Sequence, residues 1–159
     1  MKAIIIYYSY SGNTKKVAEA LVGYLKEKSG VEIIRLEALD ESNSFFAQCH
    51  RAFWHRRAQI SKVKYDLSGY DLICLGTPVW AFAPTPAINT YLSRCFGLKG
   101  KEIILFSTYG SGTGNNRCLN YMQDILAKKG AKNFRRFSVQ QFKVKDKKFI
   151  KGILQELTI

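Results

Sequence analysis

Residues 3–8 are an unbroken apolar run, Ala-Ile-Ile-Ile-Tyr-Tyr, and it ends directly in Ser9-Tyr10-Ser11-Gly12-Asn13-Thr14. A strand without polar alternation has to be buried on both faces, which belongs to a parallel sheet covered by helices. Beyond the loop, Val17, Ala18, Leu21 and Leu25 recur at helical spacing. A buried strand, a hydroxyl-rich turn and an amphipathic helix therefore follow one another without a break. Such a junction aims backbone N–H groups and hydroxyls at one place, with the positive end of the helix dipole behind them, and suits a phosphate. Simple N-capping is the plainer use of these residue types, but three hydroxyls and a glycine exceed what a cap requires.

The alternation repeats along the chain. The patterning predicts further strands over 31–36, 71–76, 102–107 and 134–139. Between them it predicts a helix over 45–60, carrying Phe46, Phe53 and Trp54 with a basic face at Arg51, His55, Arg56 and Arg57. A second helix starts near Pro84 and Pro86 and buries Ile88, Tyr91, Leu92, Cys95 and Phe96. A third carries Leu119, Met122 and Leu126, and a terminal one carries Phe149, Ile150, Ile153, Leu154 and Leu157. Five strands alternating with helices make an α/β fold, a parallel sheet with right-handed crossovers in a single domain over residues 1–159. Ligands of such sheets sit outside the carboxyl ends of the strands, where the winding direction reverses.

Composition narrows the partners. No apolar run reaches membrane-spanning length, and Met1-Lys2 leads straight into a strand rather than a signal peptide, so a soluble, cytoplasmic protein with no membrane role is expected. The four cysteines, Cys49, Cys74, Cys95 and Cys118, form no C-x-x-C pair and read as reduced thiols. Cys49, His50 and His55 do not share a helix face, which argues against a metal site. The net charge of +13 implies attraction to acidic partners or polyanions.

The loops after strands one, three and four are rich in hydroxyls, glycines and aromatics, and the topology brings them to one edge. Two common phosphate binders are excluded. There is no G-x-x-x-x-G-K-[ST], and Gly110-Ser-Gly-Thr-Gly-Asn115 fails G-x-G-x-x-G at its last position. What remains is Ser9-x-Ser11-Gly12-x-Thr14, together with Gly76-Thr-Pro-Val-Trp80 and the loop from Tyr109 to Gly114.

These segments resemble the flavodoxin family, whose phosphate loop reads hydroxyl, any residue, hydroxyl, glycine, any residue, threonine. The likeness covers the whole chain and is to the short-chain, flavodoxin-like group. It implies a three-layer sandwich with strand order 2-1-3-4-5, helices on both faces of the sheet, and FMN as the cofactor. By the same resemblance Ser9, Tyr10, Ser11, Gly12, Asn13 and Thr14 hold the FMN phosphate. Pro78, Val79, Trp80, Ala81 and Phe82 line one face or edge of the flavin ring, and Thr108, Tyr109, Gly110, Ser111 and Gly112 cover the other side. Trp80 and Tyr109 are the aromatic candidates for a flat tricycle, with Phe82 as the rival to Tyr109 and core packing as the rival role for Trp80.

The chain departs from the family in two ways. Electron-carrying flavodoxins are typically acidic, and this chain is basic, so its redox partner is expected to be acidic, a ferredoxin or a reductase. Flavodoxins that pass electrons singly commonly flip a glycine peptide beside the ring, and residues 78–86 contain no glycine. The leading expectation is intracellular electron transfer without catalytic side chains. The alternative is a flavin-dependent NAD(P)H:acceptor oxidoreductase acting on a quinone or free flavin, and the distant one is a polyanion-binding module. The aromatics read as core and site rather than as a stacking platform, which argues against nucleic acid. A second copy of the chain remains a candidate partner, with the basic helix around residues 51–57 as one surface for it.

Overall fold

A computed structural model describes residues 1–110 and 112–157. The strands are β1 (Lys2–Tyr7), β2 (Gly30–Arg35), β3 (Leu72–Pro78), β4 (Glu102–Tyr109) and β5 (Asn133–Gln140). All pair in parallel in the order β2-β1-β3-β4-β5. The helices are α1 (Asn13–Lys26), α2 (Phe45–Phe53), α3 (Pro86–Arg94), α4 (Asn115–Lys128) and α5 (Lys147–Glu156), with a single 3-10 turn at Gln141–Lys143. The expected α/β sandwich and strand order are therefore those of the structure.

Strand periodicity builds both layers. Ala3, Ile5 and Tyr7 point to the face covered by α1 and α5, where they meet Val17, Leu21, Leu25, Ile150 and Leu154. Ile4, Ile6 and Tyr8 point to the other face and meet Ile88, Leu92, Leu119 and Met122 of α3 and α4. Each central strand feeds two cores, which is why its sequence shows no polar alternation.

Two expectations for helices are corrected. α2 ends at Phe53 rather than near residue 60. His55 takes φ 50°, its N–H donates to Ala52 O at 2.9 Å, and Arg56 N–H donates to Arg51 O at 2.9 Å. That pair of bonds is a Schellman stop with histidine where glycine is usual. The His55 ring stacks on Tyr121 of α4, with centroids 3.9 Å apart, and this tertiary contact holds the left-handed residue in place. α3 ends at Arg94, so Phe96 lies past the helix and is exposed, while Cys95 stays buried.

A polar tie secures β2, one of the two edge strands. The Tyr70 hydroxyl donates to Glu32 Oε2, and Lys64 Nζ lies 3.1 Å from Glu32 Oε1. The Tyr70 bond, assisted by Lys64, holds the Glu32 carboxyl below its ordinary range. The unfolded chain then binds the proton first, so the stabilisation is complete above the ordinary glutamate value of about 4.3 and is lost as pH falls through the lower folded value. In Tyr70→Phe this part of the acid-induced loss should shrink. Urea midpoints measured between about pH 5 and pH 3 check it, with the variant's slope shallower than the parent's.

Candidate functional site

At the carboxyl ends of β1 and β3, where the sheet reverses direction, the structure opens a cleft of about 550 Å³. It is lined by Tyr10, Ser11 and Asn13 from the first loop, by Pro78, Val79, Trp80 and Ala81 after β3, and by Thr108, Tyr109 and Gly110 after β4. The three loops that the sequence singled out thus share one cavity.

One end of the cleft is the start of α1. Gly12 occupies the N-cap at φ 87° and gives the helix no side-chain cap. The Ser9 hydroxyl accepts from Lys15 N–H at 3.2 Å, and the Ser9 carbonyl accepts from Arg35 at 3.0 Å, which anchors the loop's entry. Thr14, buried, shares a 2.8 Å hydrogen bond with Thr108, tying the first loop to the end of β4. Among the described residues nothing accepts from the N–H groups of Ser11, Gly12, Asn13 or Thr14. No acidic residue stands in the first helical turn, so neither charge nor capping competes with an incoming anion.

The ring end is aromatic. Trp80 is only 5 % exposed, and its ring meets Tyr8, Tyr10 and Phe45 edge to face at 5.7, 5.6 and 5.5 Å. It is therefore both core and cavity wall. Tyr8 is fixed beneath it by a hydrogen bond to Glu41, and burial with that bond pushes the phenol far above its ordinary range, so it stays protonated.

After Trp80 the chain makes a two-residue turn. Trp80 N–H donates to Ala83 O and Ala83 N–H to Trp80 O, both at 3.0 Å, while Ala81 and Phe82 take φ 47° and 67°. Two bonds and two positive φ values define a type I′ turn, normally made by Asn-Gly. Alanine and phenylalanine there carry strain of about 1–3 kcal/mol each.

Not every expected residue lines the cleft. Ser9, Gly12 and Thr14 shape the loop from behind, and Phe82 turns away so that its ring lies against Gly114 at the start of α4. Gly112 is exposed and off the cavity wall, and Ser111 lies outside the described residues. Sequence reasoning missed Phe45 and Cys49 of α2 and Gln141 after β5, all of which line the cavity. The signal was available in the topology: the loops after β2 and β5 end at the same sheet edge as the other three.

The residues present fit FMN. The uncapped helix start supplies unpartnered N–H donors for a phosphate, the aromatic cleft has the size and flatness for a tricyclic ring, and Gly110 leaves backbone accessible at the polar end. Among the described residues no helix is long and apolar enough to cross a membrane.

Solved structures share this architecture. A flavoprotein in complex with FMN from Lactobacillus acidophilus NCFM is 23 % identical, with a TM-score of 0.65 over 92 % of this chain and 98 % of that one. Oxidised flavodoxin 1 from Bacillus cereus is 18 % identical, with a TM-score of 0.66 over 99 % and 97 %. An NADH:FMN oxidoreductase in its apo form is 16 % identical, with a TM-score of 0.67 over 99 % and 86 %. At these identities the likeness is one of fold, the flavodoxin-like one. Residues 1–143 match the NADPH-dependent FMN reductase family, and the chain belongs to that family.

Proposed function

We propose that this protein binds FMN and acts as an NAD(P)H-dependent flavin oxidoreductase, moving electrons in pairs to a small acceptor. The observation that carries the paired-electron reading is the turn at Trp80–Ala83. Flipping its central peptide would convert type I′ to type II′ and put Ala81 where φ is positive and ψ strongly negative, a region that glycine alone enters readily. The Ala81–Phe82 peptide beside the cleft would therefore resist turning over in response to a one-electron change in a bound ring. The family match supports the same reading.

Bound FMN supplies the redox chemistry, accepting hydride and releasing electrons. The chain's own residues bind and orient it. The N–H groups at the start of α1, with the Ser11 hydroxyl, hold the phosphate; the Thr14–Thr108 bond keeps that loop in register with the loop after β4. Trp80 and Tyr109 confine the ring, and Phe45 with Tyr10 keeps water from one wall. No side chain is required as acid or base. The electron-carrier reading rests on the basic surface, which suits an acidic protein partner.

The test is anaerobic reduction of the FMN-reconstituted protein. NADPH should bleach the flavin absorbance at a rate that saturates with NADPH, and turnover should follow when a quinone is added. Flavin that stays oxidised under NADPH yet reduces by light would support the carrier instead. Ala81→Gly, which frees the peptide, should raise the EPR signal seen during photoreduction, whereas the parent shows little.

A further inference from the structure

Several basic side chains on the α4–β5 side are consumed internally. Lys129 Nζ donates to Ser93 O and Cys95 O at 2.9 and 2.8 Å, which caps the end of α3. Arg135 pairs with Glu102, Arg136 donates to Asn120, and Lys101 donates to Ser68 O at 2.7 Å. The opposite face differs. Among the described residues Lys16, Lys145, Lys147, Lys148 and Lys151 enter no ion pair. Lys147 and Lys148 also stand in the first turn of α5, just after the N-cap Asp146, whose carboxylate accepts from Phe149 N–H at 3.0 Å.

Lys16, Lys145, Lys147 and Lys151 border a groove of about 920 Å³ between α1 and α5. Its floor is apolar, made by Ala20, Gly23, Ile150 and Leu154. Lys16, Ala20, Gly23 and Glu27 form one stripe of α1, and the two small residues at its centre open the floor. A Cβ added at Gly23 would meet nothing within 4 Å. On the rim Lys16, Lys145, Lys147 and Lys151 face Glu19 and Glu27, and Glu19 is already engaged by Lys15 at 3.8 Å.

The geometry points to a docking groove for an acidic amphipathic helix of a partner protein. Its apolar stripe would settle on the Ala20–Gly23 floor between α1 and α5, and its carboxylates would meet the unpaired lysines of the rim. Each part of the groove favours this occupant. A bilayer is flat and would meet the lysines without reaching the floor, and a nucleic acid would use the lysines and leave the apolar floor unfilled. The inference does not depend on the flavin or on the electron count.

The experiment uses the full chain and a fluorescein-labelled synthetic helix of about 18 residues, leucines on one face and glutamates elsewhere. The control peptide has the same composition, ordered so that no apolar face forms. Fluorescence anisotropy should show the amphipathic peptide binding at least about tenfold more tightly than the control, with affinity falling as salt rises. Gly23→Leu fills the floor with a better helix former, so it should fold and yet weaken peptide binding at least about tenfold. Joint Lys147→Glu and Lys151→Glu should do the same. FMN uptake, followed by quenching of flavin fluorescence, should not change in either variant. Equal binding of the two peptides, or an unchanged affinity in Gly23→Leu, overturns the proposal. So does capture by phosphatidylglycerol vesicles or by a DNA oligonucleotide when the amphipathic peptide fails to bind.

Discussion

Gly76→Ala is expected to lose about 3 kcal/mol of stability or more, read as a fall in the urea midpoint at unchanged slope. Gly76 lies in β3 between Tyr7 of β1 and Phe106 of β4, on the face covered by α1 and α5. The fully buried Phe106 ring occupies the space that a side chain would take, and a Cβ on residue 76 would come within 2.1 Å of Phe106 Cζ. Phe106 cannot retreat freely, because its other side stacks on Phe137 with centroids 5.6 Å apart. Either β3 shifts or the stack breaks. A shift would move Pro78 and Trp80, so any protein that does fold should also hold FMN more weakly. Phe106→Leu placed in the Gly76→Ala background should recover part of the loss, and a double-mutant cycle isolates that coupling. Additive losses would show that the clash is not the cause.

This glycine illustrates what was legible in the sequence. Continuous apolar runs in β1, β3 and β4 marked central strands of a parallel sheet, and the topology followed from the helices between them. The loop at the start of α1 was legible because its features are local: hydroxyls, a glycine and a helix start within a few residues. Features that depend on contacts across the sheet were not. The end of α2 is set by His55 stacking on Tyr121, and nothing near residue 55 in the sequence announces a partner on α4, beyond two further strands. Phe45, Cys49 and Gln141 enter the cavity only because β2 and β5 end at the same edge as β1, β3 and β4. The direction of Phe82 depends on the I′ turn, which a sequence of Ala81-Phe82 argues against on local preference alone. A local rule broken at the lip of the cavity, without a glycine, is where function is expected to have overridden propensity.

Gly12→Asp is expected to weaken FMN binding by about a hundredfold or more while leaving the fold intact. Gly12 caps α1 at φ 87°, a conformation that aspartate tolerates better than most residues, and a Cβ there would meet nothing within 4 Å. Aspartate at this positive φ costs about 1–2 kcal/mol of stability, a strain that Gly12→Asn shares and therefore controls for. What changes is charge at the point where the unpartnered N–H groups of Asn13 and Thr14 converge. At an effective dielectric near 20, a carboxylate a few ångströms from where the phosphate would bind opposes it by about 3–4 kcal/mol per unit charge, roughly a hundredfold or more in affinity. Riboflavin, which has the same ring and no phosphate, should bind the variant and the parent alike. Gly12→Asn, neutral and nearly isosteric with aspartate, should retain FMN affinity within about tenfold. Flavin fluorescence titrations with both ligands separate the causes. If riboflavin affinity falls as far as FMN affinity, the loop has been distorted and the phosphate is not where its charge is felt. If FMN still binds Gly12→Asp as it binds the parent, the start of α1 does not hold the phosphate.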